Sequence, residues 1–206
     1  LIATPVLLPR VLIVDDDPAL RQQLKFALEE QHEVAEATQA REAIEQLTVF
    51  DPDVTILDLG LPPREQLPDE GYRVLEHSLA CSAGKMVVLT GQGGEQITHE
   101  AIRRGAFDYL LKPAPLEQIV AAVSRALLFL DSERRLYEQG VSRINVDVEM
   151  GKGLQSLRDE AGRQLILKVL RDTGFNVYLS AKRLGVKRET LYYFIHKFGI
   201  RRPDDA

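Results

Sequence analysis

The chain has a single cysteine, Cys81, among 206 residues, so no disulfide can form within it. Cys81 falls between an expected helix and an expected strand and is read as structural or incidental. Long apolar runs are also missing. The opening LIATPVLLP is apolar but short, carries two prolines and lacks a basic flank, which argues against a signal peptide or a membrane span. The first residue is Leu rather than Met, so preceding residues are expected to be cleaved or to lie outside this sequence. No G-x-x-x-x-G-K-[ST] loop occurs, and AGKM and MGKG are too short to be one. That leaves no nucleotide-hydrolysing domain of the phosphate-loop class within these residues. What is present suits a cytoplasmic globular protein: hydrophobic residues make up 45%, enough for a sizeable core without cross-links.

The formal net charge of −5 is unevenly spread. Residues 157–206 hold 11 Lys and Arg against 6 Asp and Glu, and the remainder holds 15 against 25. An acidic front and a basic tail suggest a regulatory domain joined to one that binds nucleic acid.

In the front part, short apolar runs alternate with helical patterns. Strands are expected at 11–14, near Val34, and at 54–57, 86–89 and 109–111. Continuous apolar runs such as VTIL fit strands buried on both faces of a parallel sheet. Helices are expected from Pro18, with Leu20, Leu24, Ala27 and Leu28 on one face, then at 40–47, 72–79 and 96–104, and from Leu116. The alternation predicts a five-stranded doubly wound α/β fold. In such a sheet the strand ends converge at one edge, where ligands bind. Asp15, Asp16 and Asp58 stand at those ends. Clustered carboxylates repel unless a cation neutralises them, and an all-oxygen set suits magnesium. Lys112 supplies a fixed positive charge, so the assembled site suits a phosphoryl group carried on one carboxylate.

Asp15-Asp16, Asp58, Thr90 in VVLTG, Tyr109 and Lys112-Pro113 recur in the order found in a known family. Residues 10–130 resemble the receiver domain of a bacterial two-component response regulator, a flavodoxin-like fold. The resemblance implies that Asp58 accepts phosphate from a sensor histidine kinase. It implies Mg2+ held by Asp16, by Asp15 directly or through water, by Asp58, and by the backbone carbonyl of Gly60. Asp17, the spare aspartate, would cap the following helix. Lys112 would offset charge on the transferring oxygens, and its bond to Pro113 would be cis. Thr90 and Tyr109 would form a switch pair that repacks the face made by the fourth helix, fifth strand and fifth helix, favouring a homodimer on activation. No enzyme activity is expected beyond self-catalysed phosphoryl transfer to, and hydrolysis from, Asp58. Receivers usually carry a Gly about eight residues after the phosphorylated Asp. Here the match is Gly71, so residues 62–70 read as carrying an insertion of about five residues that shields the site, meets a kinase, or is a neutral surface loop. Gly91, Gly93 and Gly94 make the loop after Thr90 mobile on paper.

In the tail, Gly174 closes one helix and Asn176 caps the next. Ala181, Gly185, Val186, Leu191 and Phe194 take the positions a helix-turn-helix needs, with Val186, Leu191 and Phe194 or Ile195 burying the second helix. GFNVYLSAKRLGVKRETLYYFIHKFGI, with the leading LRDEAGRQLIL, resembles the Fis-type DNA-binding domain that ends NtrC-class regulators. Those regulators place an ATPase between receiver and tail, and this chain has no room for one. The resemblance implies binding to double-stranded DNA, with no membrane partner. Lys187, Arg188, Glu189 and Thr190 would enter the major groove. Arg188 would read guanine, Thr190 a phosphate or thymine methyl, and Lys182 and Arg183 would meet phosphates. Tyr192, Tyr193 and His196 lie further along the exposed side. Tyr193 and Phe194 stand where relatives are often basic, which weakens the electrostatic grip. The implied organisation is a receiver at 8–131, a helical extension and linker at 132–153, and a helix-turn-helix domain at 154–202. Residues 140–153 fit either a short strand or a flexible linker. The competing reading is a protein-interaction regulator whose helix-turn-helix serves dimerisation. A stand-alone hydrolase with an aspartyl-phosphate intermediate would need a substrate pocket or cap that the sequence leaves no room for.

Overall fold

Strands β1 (Arg10–Val14), β2 (Glu33–Ala37), β3 (Val54–Leu57), β4 (Lys85–Thr90) and β5 (Asp108–Leu111) form one parallel sheet in the order β2-β1-β3-β4-β5. This architecture is seen in a computed structural model that describes residues 8–81, 84–91, 94–141, 151 and 153–200. Residues 142–150 and 152, which cover most of the expected strand or linker, lie outside the described residues, as do 92–93 of the glycine-rich loop.

Helices α1 (Pro18–Leu28), α2 (Ala40–Val49), α3 (Asp69–Cys81), α4 (Glu95–Arg103) and α5 (Leu116–Glu138) cover the two sheet faces. Successive strand side chains point to opposite faces, which divides the core in two. Val11, Ile13, Ile56, Val87 and Leu89 meet Leu24 and Leu28 of α1 and Ile119, Val123 and Ala126 of α5. Leu12, Val14, Leu57 and Val88 meet Ala43 and Leu47 of α2, Val74 and Leu75 of α3 and Ala101 of α4. Both faces of the central strands are therefore dry, as their unbroken apolar sequences require. Asp17 caps α1 as expected, accepting from the Ala19 N–H at 2.8 Å, with Pro18 in the first turn.

The segment 62–70, expected to carry the insertion, leads straight into α3. Asp69 and Glu70 already form the first turn of α3, where their charges suit the helix N-terminus. Cys81, expected in a loop, is the last residue of that helix. Gly71 has a packing reason. A Cβ built there lies 2.4 Å from Leu59 Cα and 2.9 Å from Leu59 O, so α3 rests directly on backbone beside Asp58. Gly71→Ala is expected to destabilise the fold by about 2 kcal/mol, because the clash is with main chain that cannot rotate away. A urea titration checks this. An unchanged or raised midpoint, as helix propensity alone would give, contradicts it.

The extension expected after residue 131 is a continuation of α5. Glu133 pairs with Lys85 of β4 at 2.5 Å, and Arg134 pairs with Asp53, just before β3, at 2.6 Å. The chain divides into two compact units between Glu138 and Gln139.

The second unit holds α6 (Gly153–Asp172), α7 (Val177–Leu184) and α8 (Arg188–Lys197). Its core is Ile166, Leu170, Ala181 and Leu191, ringed by Phe175, Leu184, Phe194, Ile195 and Phe198. The Asn176 side chain caps α7 by accepting from the Leu179 N–H at 3.1 Å. Gly185 turns the chain at φ 66°, the left-handed region where a Cβ is costly. The structure corrects one expectation: Val186 does not bury α8 but sits 37% exposed in the turn. Phe194 and Ile195 both pack inward, and Phe194 stacks on Phe198. Phe194 is thus partly buried against the core, as the helix-turn-helix pattern expects.

Candidate functional site

Parallel register delivers three strand ends to one edge. Val14 pairs with Leu57 and Thr90 with Leu111, so Asp15, Asp58 and Lys112 each follow a paired residue. Backbone bonds carry the ladder one step further. The Asp15 N–H donates to Ala37 O at 3.2 Å, the Asp58 N–H to Val14 O at 2.8 Å, and the Lys112 N–H to Thr90 O at 2.9 Å. Strand order reverses between β1 and β3, the place where open α/β sheets bind ligands.

Lys112 Nζ donates to Asp15 Oδ2 at 2.6 Å and to Asp58 Oδ2 at 2.5 Å. The remaining oxygens are also engaged: the Asp17 N–H donates to Asp15 Oδ1 and the Gly60 N–H to Asp58 Oδ1, each at 3.0 Å. Burial pushes the Asp15 carboxyl above its ordinary range, against the pull of Lys112 and the Asp17 N–H. Burial also opposes charge on Lys112, but hydrogen bonds and attraction from Asp15 and Asp58 prevail and hold its ammonium above the usual range. The Lys112-Pro113 peptide is cis.

Carboxylate oxygens of Asp15, Asp16 and Asp58 lie within 4.8 Å of one another. One ammonium faces three carboxylates, so the cluster keeps an excess of negative charge that a hard divalent cation would offset. The donor set, all oxygen and half open through Asp16, fits magnesium, which keeps several waters. Gly60 meets Asp58 through its N–H.

Thr90 is fully buried at the end of β4, and Tyr109 is half-buried on β5. Tyr109 packs into the same cluster as Tyr72 and Ile97. Tyr72 Oη donates to Ile97 O at 3.4 Å, while Arg104 stacks over the Tyr72 ring and pairs with both Glu76 and Glu100. Hydrogen bonds from Arg103 and then Arg104 lower Glu100 to about 2. Sequence reasoning missed this α3–α4 tie, because only folding brings Tyr72 and Arg104 together. It also missed Arg21, whose Nη1 donates to Asp15 O at 2.7 Å.

In the second unit, Lys182, Arg183, Lys187, Arg188, Glu189, Thr190, Tyr192, Tyr193 and His196 are all exposed, while Leu191 is fully buried and anchors α8. Lys197 reaches Asp159 of α6 at 2.8 Å. Thr173 Oγ1 and Ser180 Oγ lie 2.6 Å apart and satisfy each other at the α6–α7 junction. Among the described residues no helix is long and apolar enough to cross a membrane.

Comparison with known proteins adds to this geometry. Residues 11–124 match the family described as response regulator receiver domain, and residues 158–198 match the bacterial regulatory protein, Fis family. The chain is 36% identical over 141 residues to the virulence transcriptional regulatory protein PhoP of Salmonella typhi, spanning 68% of this chain and 60% of that protein. Against the transcriptional regulatory protein PhoP of Escherichia coli (strain K12) it is 33% identical over 153 residues, spanning 73% and 65%. The chain thus covers less than two thirds of these relatives' length. The fold is similar to that of a CheY-like response regulator receiver domain protein from Methanospirillum hungatei JF-1, with TM-score 0.56 and 27% identity over 61% of this chain and 98% of that one.

Proposed function

The chain belongs to the response regulator receiver family and carries a Fis-family segment behind the receiver, and we propose that it is a transcription regulator of a two-component system, controlled by phosphorylation of Asp58. The observation that supports this most is Lys112 bridging Asp15 and Asp58 beside the converged Asp16 carboxylate. In the proposed reaction an Asp58 carboxylate oxygen bonds to phosphorus as the P–N bond of a kinase phosphohistidine breaks. The electron pair of that bond leaves on the imidazole. Lys112 offsets charge on the transferring oxygens, which is the kind of positioning and electrostatics that phosphoryl transfer depends on. Asp15, Asp16, Asp58 and the Gly60 carbonyl would hold magnesium, which supplies neutralising charge when bound. Thr90 would bond to the new phosphoryl group, and Tyr109 would follow it into the vacated space. The repacked face of α4, β5 and α5 would then favour a homodimer that presents two α8 helices to duplex DNA.

The test is to treat the full chain with magnesium and beryllofluoride, an acyl-phosphate mimic. Sedimentation should show a heavier species, and a genomic DNA fragment should be retained more tightly. A second reading rests on Tyr192 and Tyr193, which are 48% and 62% exposed where a purely electrostatic DNA grip would favour Lys or Arg. In that reading the helix pair serves dimerisation alone. It takes over if neither the isolated tail nor the treated chain shifts any genomic fragment at low salt.

A further inference from the structure

The loop between β1 and α1 is Asp15, Asp16 and Asp17, and it must hold carboxylates close together against their repulsion. Two of the contacts that shape it are local: the Asp17 N–H on Asp15 Oδ1, and the Asp17 side chain capping α1. Arg21 adds another, from the first turns of α1. Its Nη1 donates to Asp15 O at 2.7 Å, and its Nε faces Glu36 of β2 at 3.6 Å. Its side chain is only 14% exposed, and Nε is buried without a hydrogen-bond partner among the described residues. Lys25 donates to the other Glu36 oxygen at 2.7 Å. The guanidinium thus lies between β2 and the acidic loop, meeting the loop through Nη1 and Glu36 through Nε, two separate nitrogens that a lysine does not have.

The Asp15 carbonyl and the Asp16 N–H belong to one planar peptide. A donor that holds that oxygen sets the orientation of the peptide, and with it the directions in which both aspartates leave the chain. We propose that Arg21 is a positioning residue of the divalent-cation site, holding the Asp15–Asp16 peptide so that both carboxylates converge on the cation. This rests on the magnesium reading above. Arg21 touches no ligand oxygen. Its own positive charge disfavours a nearby cation, so its charge and its geometry act in opposite directions. That opposition makes the inference testable.

Magnesium chloride is titrated calorimetrically into the full chain, into Arg21→Lys and into Arg21→Met. Arg21→Lys keeps the charge and loses the fork, and is expected to bind magnesium about tenfold more weakly, as loss of a ligand-orienting partner does. Arg21→Met also loses the charge. A purely electrostatic role predicts tighter binding there, whereas positioning predicts weaker binding. In phosphorylation by acetyl phosphate, the magnesium concentration for half-maximal rate should rise while the rate at saturation is kept. A lower unfolding midpoint with unchanged magnesium affinity, an Arg21→Lys chain within twofold of wild type, or a tighter Arg21→Met chain overturns the inference. Two variants that both fail to fold overturn it in favour of a purely structural role. A wild-type chain that takes up no magnesium sinks the underlying reading and the inference with it.

Discussion

Asp58→Asn is expected to leave the chain unable to gain a phosphoryl group from acetyl phosphate with magnesium present, as read by intact mass. The substitution is nearly isosteric. Asn can still accept from the Gly60 N–H, and Lys112 keeps its bond to Asp15, so the local frame should survive. The nucleophilic charge is lost. Asp15 is a poor substitute: it is 2% exposed against 7% for Asp58, and burial favours its protonated form. Chelation of magnesium should stop uptake by the wild type as well, because Lys112 alone cannot offset the clustered carboxylates. A variant that gains the group at the wild-type rate would move the acceptor to another carboxylate.

Arg188→Ala is expected to cost about 1–3 kcal/mol of DNA affinity and to relax preference at one base position. Arg188 opens α8, is exposed, and stands one turn from Leu191, whose burial fixes the helix on its unit. Truncating an exposed residue at a helix start should leave that core intact, so the weaker binding would report on DNA recognition rather than folding. Lys182 and Arg183 lie in the last turn of α7. Their replacement should weaken all sequences alike and reduce the salt slope by about one for each phosphate no longer neutralised. Competition between specific and random duplexes over a salt series separates the two classes. Equal weakening on both duplexes for Arg188→Ala would make it a phosphate-binding residue too.

The sheet is readable from sequence because its signals are local. VLIV and MVVL are apolar without interruption, VTIL carries only one threonine, and strands buried on both faces demand such runs. Pro18, Asn176 and Gly185 mark helix ends through constraints that act within a few residues. The candidate acidic site is readable for a related reason. Its members close their strands, and parallel register takes such ends to one edge. Val186 misleads because apolar character in a turn does not say which way the side chain faces, and here it faces outward. Phe194 and Ile195, expected as alternatives, both pack against the core, and Phe194 also finds Phe198 to stack on.

Residue order is enough to dictate the succession of strands and helices, the identity of the charged groups at the strand ends, and the small Ala181 and left-handed Gly185 of the tail. Which charges meet depends on packing. Lys112 reaches Asp15 across 97 positions, Arg134 reaches Asp53 across 81, and Gly71 lets α3 rest on the Leu59 backbone. Periodicity and capping are properties of neighbouring residues and leave their mark in every short window. A hydrogen bond between distant positions depends on how whole helices lie against the sheet. Arg21 shows the difference: its place on α1 is legible from the sequence, but its hold on the Asp15 carbonyl exists only once α1 packs beside β1 and β2.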